Sequence, residues 1–295
     1  MKKFIVLADS TCDIEKVYRD QYGFDYAKMI FREGTKEYDA DIDWEEMSAK
    51  DFYDSMRKGS TYTTGLVQTK ELEEKFKKGL EAGLDILYVA CSSGLSGSIG
   101  NGKLVAEELL PSYPGRKIRM LDPLRSCCSQ GLIAKKACEL AEEGKDIDEA
   151  FEILEVEKSN YRTYATVGSL NWLKKAGRVK ASAAFFGNLL GVKPIIIQDT
   201  RGTNYAYKKV KGRKTSLDEI IMETKENIVN AAEQTVFVQH ADCLNDAQYV
   251  ANAIKEAVNP KEIVITNVGP IIGSCTGPDT IIVNFYGKTV TITGE

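Results

Sequence analysis

Apolar residues follow two rhythms in this chain. Short apolar runs at 3–8 and 85–91 read as buried strands of a parallel sheet, since a strand covered on both faces needs apolar side chains throughout, and 117–121 reads as a further strand. Between them, apolar positions recur three and four apart over 13–22, 43–58, 69–82, 97–110, 131–143 and 147–159, and each predicts a helix. Asp43 is placed to cap the second of these. Gly59 and Gly83 stop the second and third, and Pro111 the fourth. The segment 24–31 predicts one further strand, followed by a turn at 32–35. This alternation is the signature of a mostly parallel sheet with helices on both faces.

The second half changes character. A strand at 162–167 is followed by short helices at 169–175 and 182–190 around a Gly177-Arg178 turn. Segments 193–198 and 205–210 predict an antiparallel pair across Asp199 to Gly202, and 217–232 an amphipathic helix. A β-α-β pattern follows at 235–239, 245–257 and 262–266, and a closing hairpin at 281–285 and 289–293 turns at 286–288. The expected fold is α/β with two domains. Residues 1–161 carry the mostly parallel sheet flanked by helices, residues 162–295 form a mixed α/β domain, and a ligand sits between them.

Composition narrows the function. The chain has 295 residues, 43% hydrophobic, and a formal net charge of -4. Mild acidity argues against sequence-independent nucleic-acid binding, which needs a basic footprint. No apolar stretch approaches the roughly 18 residues of a membrane span. Asp9 interrupts the first apolar run and no small-residue cleavage site follows, so a cytoplasmic protein is expected. Seven cysteines and a single histidine, His240, do not make a Cys/His zinc site, and reduced thiols are expected. No metal and no cofactor is expected.

Four constellations carry candidate chemistry. Gly97 to Lys103 has the G-x-x-x-x-G-K spacing of a P-loop, but Leu104 stands where a magnesium-binding hydroxyl belongs. Hydroxyls cluster at Ser92, Ser93, Ser96 and Ser98, and again at Thr61, Thr63 and Thr64. Each alone reads as a helix cap. Two such clusters at element ends of one α/β sheet also suit a crevice that holds a carboxylate without a counter-charge. Arg178, before the small and apolar stretch 181–190, is either a surface cation or an anion partner at the rim of an apolar pocket. Cys275 has only His240 as a conceivable base and no third orienting group, so a Cys–His catalyst is not expected.

Taken in order, these landmarks resemble the DegV family of bacterial fatty-acid-binding proteins. Asp9-Ser10-Thr11-Cys12-Asp13 is similar to the family's opening Asp-Ser-x-x-Asp. Thr63-Thr64 lies where the family carries Thr-Ser-Gln-Pro, and 92–98 resembles its Ser-Ser-x-Leu-Ser-Gly-Thr. Segments 173–179 and 189–195 are similar to Leu-x-x-Gly-Gly-Arg and Leu-Leu-x-Ile-Lys-Pro. Segments 209–214 and 273–278 match the last two landmarks.

The resemblance implies a non-enzymatic carrier that holds one long-chain fatty acid between its domains. It implies a ligand site of Thr63, Thr64, Ser93, Ser96, Arg178 and Cys275. It further implies a separate ATP-dependent fatty acid kinase that phosphorylates the bound carboxylate for phospholipid synthesis, with no nucleic-acid partner and with transient contact at a membrane surface. The alternatives are a stand-alone phosphotransferase using Gly97 to Lys103, or a divergent lipid sensor. The chain departs from the family pattern in four places. Gly65-Leu66-Val67 replaces Ser-Gln-Pro, Cys275 replaces a histidine, Lys211 an arginine and Asp279 a glycine.

Overall fold

The computed structural model describes residues 2–180 and 191–294. In chain order its elements are β1 (Phe4–Asp9), α1 (Lys16–Tyr22), β2 (Asp25–Ala27), β3 (Ile30–Glu33), β4 (Lys36–Asp39), α2 (Ala49–Arg57), β5 (Thr63–Gly65), α3 (Thr69–Glu81), β6 (Asp85–Val89), α4 (Ser98–Leu109), β7 (Ile118–Leu121), α5 (Cys127–Glu142) and α6 (Ile147–Glu157). They continue as β8 (Tyr161–Thr166), α7 (Leu170–Ala176), β9 (Val179–Lys180), β10 (Val192–Gln198), β11 (Asn204–Lys211), α8 (Arg213–Asn227), β12 (Thr235–His240), α9 (Leu244–Val258), β13 (Glu262–Asn267), α10 (Pro270–Thr276) and β14 (Ile281–Tyr286).

Strands β2-β1-β6-β7 form an all-parallel sheet. The apolar run of β6 is buried almost throughout because α3 and α4 cover one face and α5 and α6 the other. Helix α3 shows how the spacing does this: Leu72, Phe76 and Leu80 are buried on one stripe. A seven-stranded mixed sheet, ordered β13-β12-β14-β8-β10-β11-β9, uses strands from Tyr161 onward. Helices α8 and α9 cover its outer face. Helix α5 packs on β1 and β6 of the parallel sheet and on β8 and β14 of the mixed one, so it is shared by both layers. A small antiparallel sheet, β4-β3-β5, rests against α10. This is the α/β architecture expected.

Three expectations need correction. The predicted strand at 24–31 is two strands in different sheets: β2 pairs with β1, whereas β3 pairs with β4 and β5. The helix predicted from Asp43 begins at Ala49, capped by the Ser48 side chain. Asp43 is instead committed to Arg19, with carboxylate oxygens 3.0 and 2.6 Å from its guanidinium nitrogens. The closing hairpin does not form. Both edges of β14 are filled, by β12 and β8, so 289–293 cannot pair with it and runs on to the β10–β11 turn. The helix expected at 182–190 lies outside the described residues.

Candidate functional site

A cavity of about 470 Å³ opens between the two main sheets. Its floor comes from the mixed sheet, where Ala165 on β8 pairs with Ile196 on β10 and with Ile282 on β14. A small residue between two isoleucines leaves the hollow. Ile271 and Ile272 on α10, Leu173 on α7 and Met29 extend the apolar wall. Helix α10 starts at Pro270, whose missing N–H costs nothing at that position. It is seated by Tyr53, whose hydroxyl donates to the Val268 carbonyl at 2.5 Å.

The polar rim is built by the loop after β6 and by β5. Ser93, Ser96 and Gly97 line the cavity with Thr64. The hydroxyls of Thr64 and Ser93 have no hydrogen-bond partner among the described residues, whereas Ser96 Oγ lies 3.0 Å from Ser98 Oγ. Thr63 is exposed and outside the lining, because successive residues of a strand point to opposite faces. Thr64, Ser93, Ser96, Arg178 and Cys275 are thus brought to one cavity, and Thr63 is not.

Arg178 is exposed at the rim. Its Nε donates to the Leu95 carbonyl at 3.2 Å and its Nη1 to the Ala176 carbonyl at 3.0 Å. No ion pair to Arg178 is present among the described residues, and it is the only charged group among those that line the cavity. Such a guanidinium is ready for an anion. Cys275 ends α10. Burial pushes its thiol up to about 11, only partly opposed by Arg178, so it is protonated at neutral pH and a poor nucleophile. His240 lies outside the lining, and burial lowers its pKa.

The Gly97 to Lys103 stretch is helical from Ser98 onward. The N–H groups of Gly102 and Lys103 are therefore spent inside α4 and cannot cradle a phosphate. Asp279, where the resemblance has a glycine, adopts φ 64 and pairs with Arg57 at 2.9 Å. The left-handed backbone explains why a glycine suits the position.

Thr11, which the sequence reads first as a cap beyond strand one and second as a crevice residue, lines the cavity, as do Ser126, Thr163 and Asn204, which sequence reasoning missed. The first three are buried and already bonded: Thr11 to Asp9 and Gln130, Ser126 and Thr163 to Gln198. The available signal was a hydroxyl inside an otherwise buried strand, as at Thr163 in β8.

Comparison with known proteins agrees with this picture. The model of the family described as "Uncharacterised protein, DegV family COG1307" matches residues 3–288. A DegV domain-containing protein of Clostridium perfringens, CPE0026, is 37% identical over 289 residues, covering 98% of this chain and 99% of that protein. A solved structure described as fatty acid binding of a DegV family protein from Thermus thermophilus superposes with a TM-score of 0.85 at 23% identity, covering 97% of this chain and 99% of that one. A DegV family structure from Ruminococcus gnavus with vaccenic acid gives 0.84 at 21% identity, covering 96% and 100%. The full-length match to the family model and the identity to the clostridial relative leave one conclusion, that the chain belongs to the DegV family.

Proposed function

We propose that this protein is a non-enzymatic, cytoplasmic carrier of one long-chain fatty acid, held between a domain of residues 1–161 and a domain of residues 162–295. The observation that carries the reading is the cavity itself: an apolar hollow of about 470 Å³ with the unspent hydroxyls of Thr64 and Ser93 at its rim. Fatty acids bound by relatives of the same fold support the class of ligand. A tail of about 15 methylenes at roughly 0.8 kcal/mol each offers at most about 12 kcal/mol, of which association costs several. Affinity then comes from the tail. Thr64, Ser93 and Ser96 set the register of the carboxylate, and Arg178 and Cys275 flank it.

Hydroxyl donors leave the carboxylate ionised and its oxygens reachable. That suits presentation to a separate ATP-dependent kinase, in which a carboxylate oxygen attacks the γ-phosphorus, ADP departs, and an acyl phosphate results. Arg178 is placed to meet the added charge. Among the described residues no helix is long and apolar enough to cross a membrane, so lipid exchange calls for transient surface contact.

Two measurements test the reading. Lipid extracted from untreated purified protein should contain a long-chain fatty acid at near one equivalent, and its absence from protein offered fatty acid in solution would reject the carrier. Thr64→Ala and Ser96→Ala should each weaken binding by about 1–3 kcal/mol, the loss expected for a bond to a charged group. Unchanged titration curves for both variants would move the carboxylate elsewhere. The phosphoryl-acceptor role is tested by adding the purified kinase and ATP and following acyl phosphate as its hydroxamate.

A further inference from the structure

The serine loop that forms the cavity rim is fixed from behind by the mixed sheet. Ser92 is fully buried and does not line the cavity. Its Oγ donates to the Gly202 carbonyl at 2.7 Å and accepts the Gly94 N–H at 3.2 Å. Its own carbonyl accepts the N–H groups of Leu95 and Ser96, each at 3.0 Å. One residue thus joins the whole 93–96 turn to the β10–β11 turn. The fit is tight on both sides. A Cβ on Gly94 would sit 2.8 Å from the Arg201 carbonyl oxygen, and one on Gly202 would sit 2.1 Å from Ser92 Oγ.

The β10–β11 turn is itself splinted. Asp199 is fully buried, and its Oδ1 accepts the N–H groups of Arg201 at 3.0 Å and Thr203 at 2.9 Å. Its Oδ2 accepts the N–H of Gly294 at 3.0 Å. Thr200 adds a backbone bond to Ile292 at 2.9 Å and a side-chain bond to Thr293 at 2.7 Å. Burial opposes the charge of Asp199, yet these N–H groups outweigh it and hold its pKa below the ordinary value. The splint is therefore ionised at any physiological pH.

We infer that Ser92 and Asp199 are positioning residues for head-group recognition: the C-terminal segment and the β10–β11 turn aim the 93–97 loop at the carboxylate without touching it. The inference rests on the fatty-acid reading above. It assigns the discrimination between an acid and its neutral analogue to contacts behind the rim, since hydroxyl and N–H donors select an anion only when held at bonding distance.

The test compares palmitic acid with methyl palmitate in the full chain, with thermal unfolding followed alongside. Ser92→Ala and Asp199→Ala should each weaken binding of the acid about tenfold, the scale of one charged-group hydrogen bond, while binding of the ester stays within about twofold. Asp199→Asn keeps an acceptor for Arg201 and Thr203 and should recover most of the acid affinity. Loss of acid and ester by one common factor, or an unchanged ratio in folded Ser92→Ala, would overturn the inference while leaving the carrier intact. A native protein that binds acid and ester equally would overturn the head-group assignment, and the inference with it. A native protein that binds neither would reject the carrier itself.

Discussion

Ala165→Phe should strip the protein of its lipid. Ala165 is 6% exposed and sits at the centre of the cavity floor, with Ile196 and Ile282 directly across on the neighbouring strands. Its Cβ is fixed by pairing on both edges of β8, so a larger side chain has only the hollow to enter. A phenyl ring there excludes about four methylenes of tail, worth about 3 kcal/mol at roughly 0.8 kcal/mol each, and so more than a hundredfold in Kd. The ring also fills space that lacks protein atoms, so the fold should keep or gain thermal stability. Lipid extraction and fatty-acid titration check the first point, and calorimetry the second. Undiminished lipid in a folded Ala165→Phe protein would show that the tail lies elsewhere.

The second large effect concerns pH. Asp13 is fully enclosed, with Oδ2 accepting the Gln239 amide at 2.8 Å and Oδ1 pressed against Gly269 at the start of α10. Burial raises its pKa to about 7; the Gly269 N–H and Gln239 offset this in part, and Asp9 adds to it. The sign follows from proton counting. Between the ordinary value of 3.8 and about 7 the folded state holds a proton that the unfolded chain has lost. Stability from this group therefore falls as pH rises through that window and is flat above it. Relative to the native protein, Asp13→Asn should gain about 2–3 kcal/mol in unfolding free energy between pH 5 and pH 8. The comparison cancels carboxylates such as Asp148 and Asp218, whose low pKa values give the opposite slope in both proteins. Urea midpoints across the range measure it, and parallel curves for the two proteins would refute it.

Much of the architecture was legible because its signals are local. The run of β6, the stripe of α3 and the β10–β11 pair are each specified within one element. What could not be read depends on partners distant in sequence. Ala27 and Ile30 belong to one apolar run, yet β1 claims the first and β4 the second. The segment 289–293 has hairpin periodicity, but the strand it would join is central in its sheet. Asp43 looks like a helix cap until Arg19 reaches it. The same division holds for the cavity. The rim hydroxyls announced themselves as clusters, whereas Thr11, Ser126 and Thr163 meet there only through the packing of β1, α5 and β8. Thr63 and Thr64 were indistinguishable until the strand direction decided between them.

On the carrier reading proposed above, helix α5 constrains how a fatty acid is loaded. Most of its side chains are out of contact with solvent, including Leu132, Ile133, Ala134, Ala137 and Cys138, because one layer covers it on each side. Pulling those layers apart would wet an entire apolar helix, and each fully uncovered leucine or isoleucine alone costs about 1.5–3 kcal/mol. A clamshell motion is therefore far too expensive to accompany each delivery. On that reading, exchange that leaves the central spine dry should proceed at rates indifferent to the global unfolding rate.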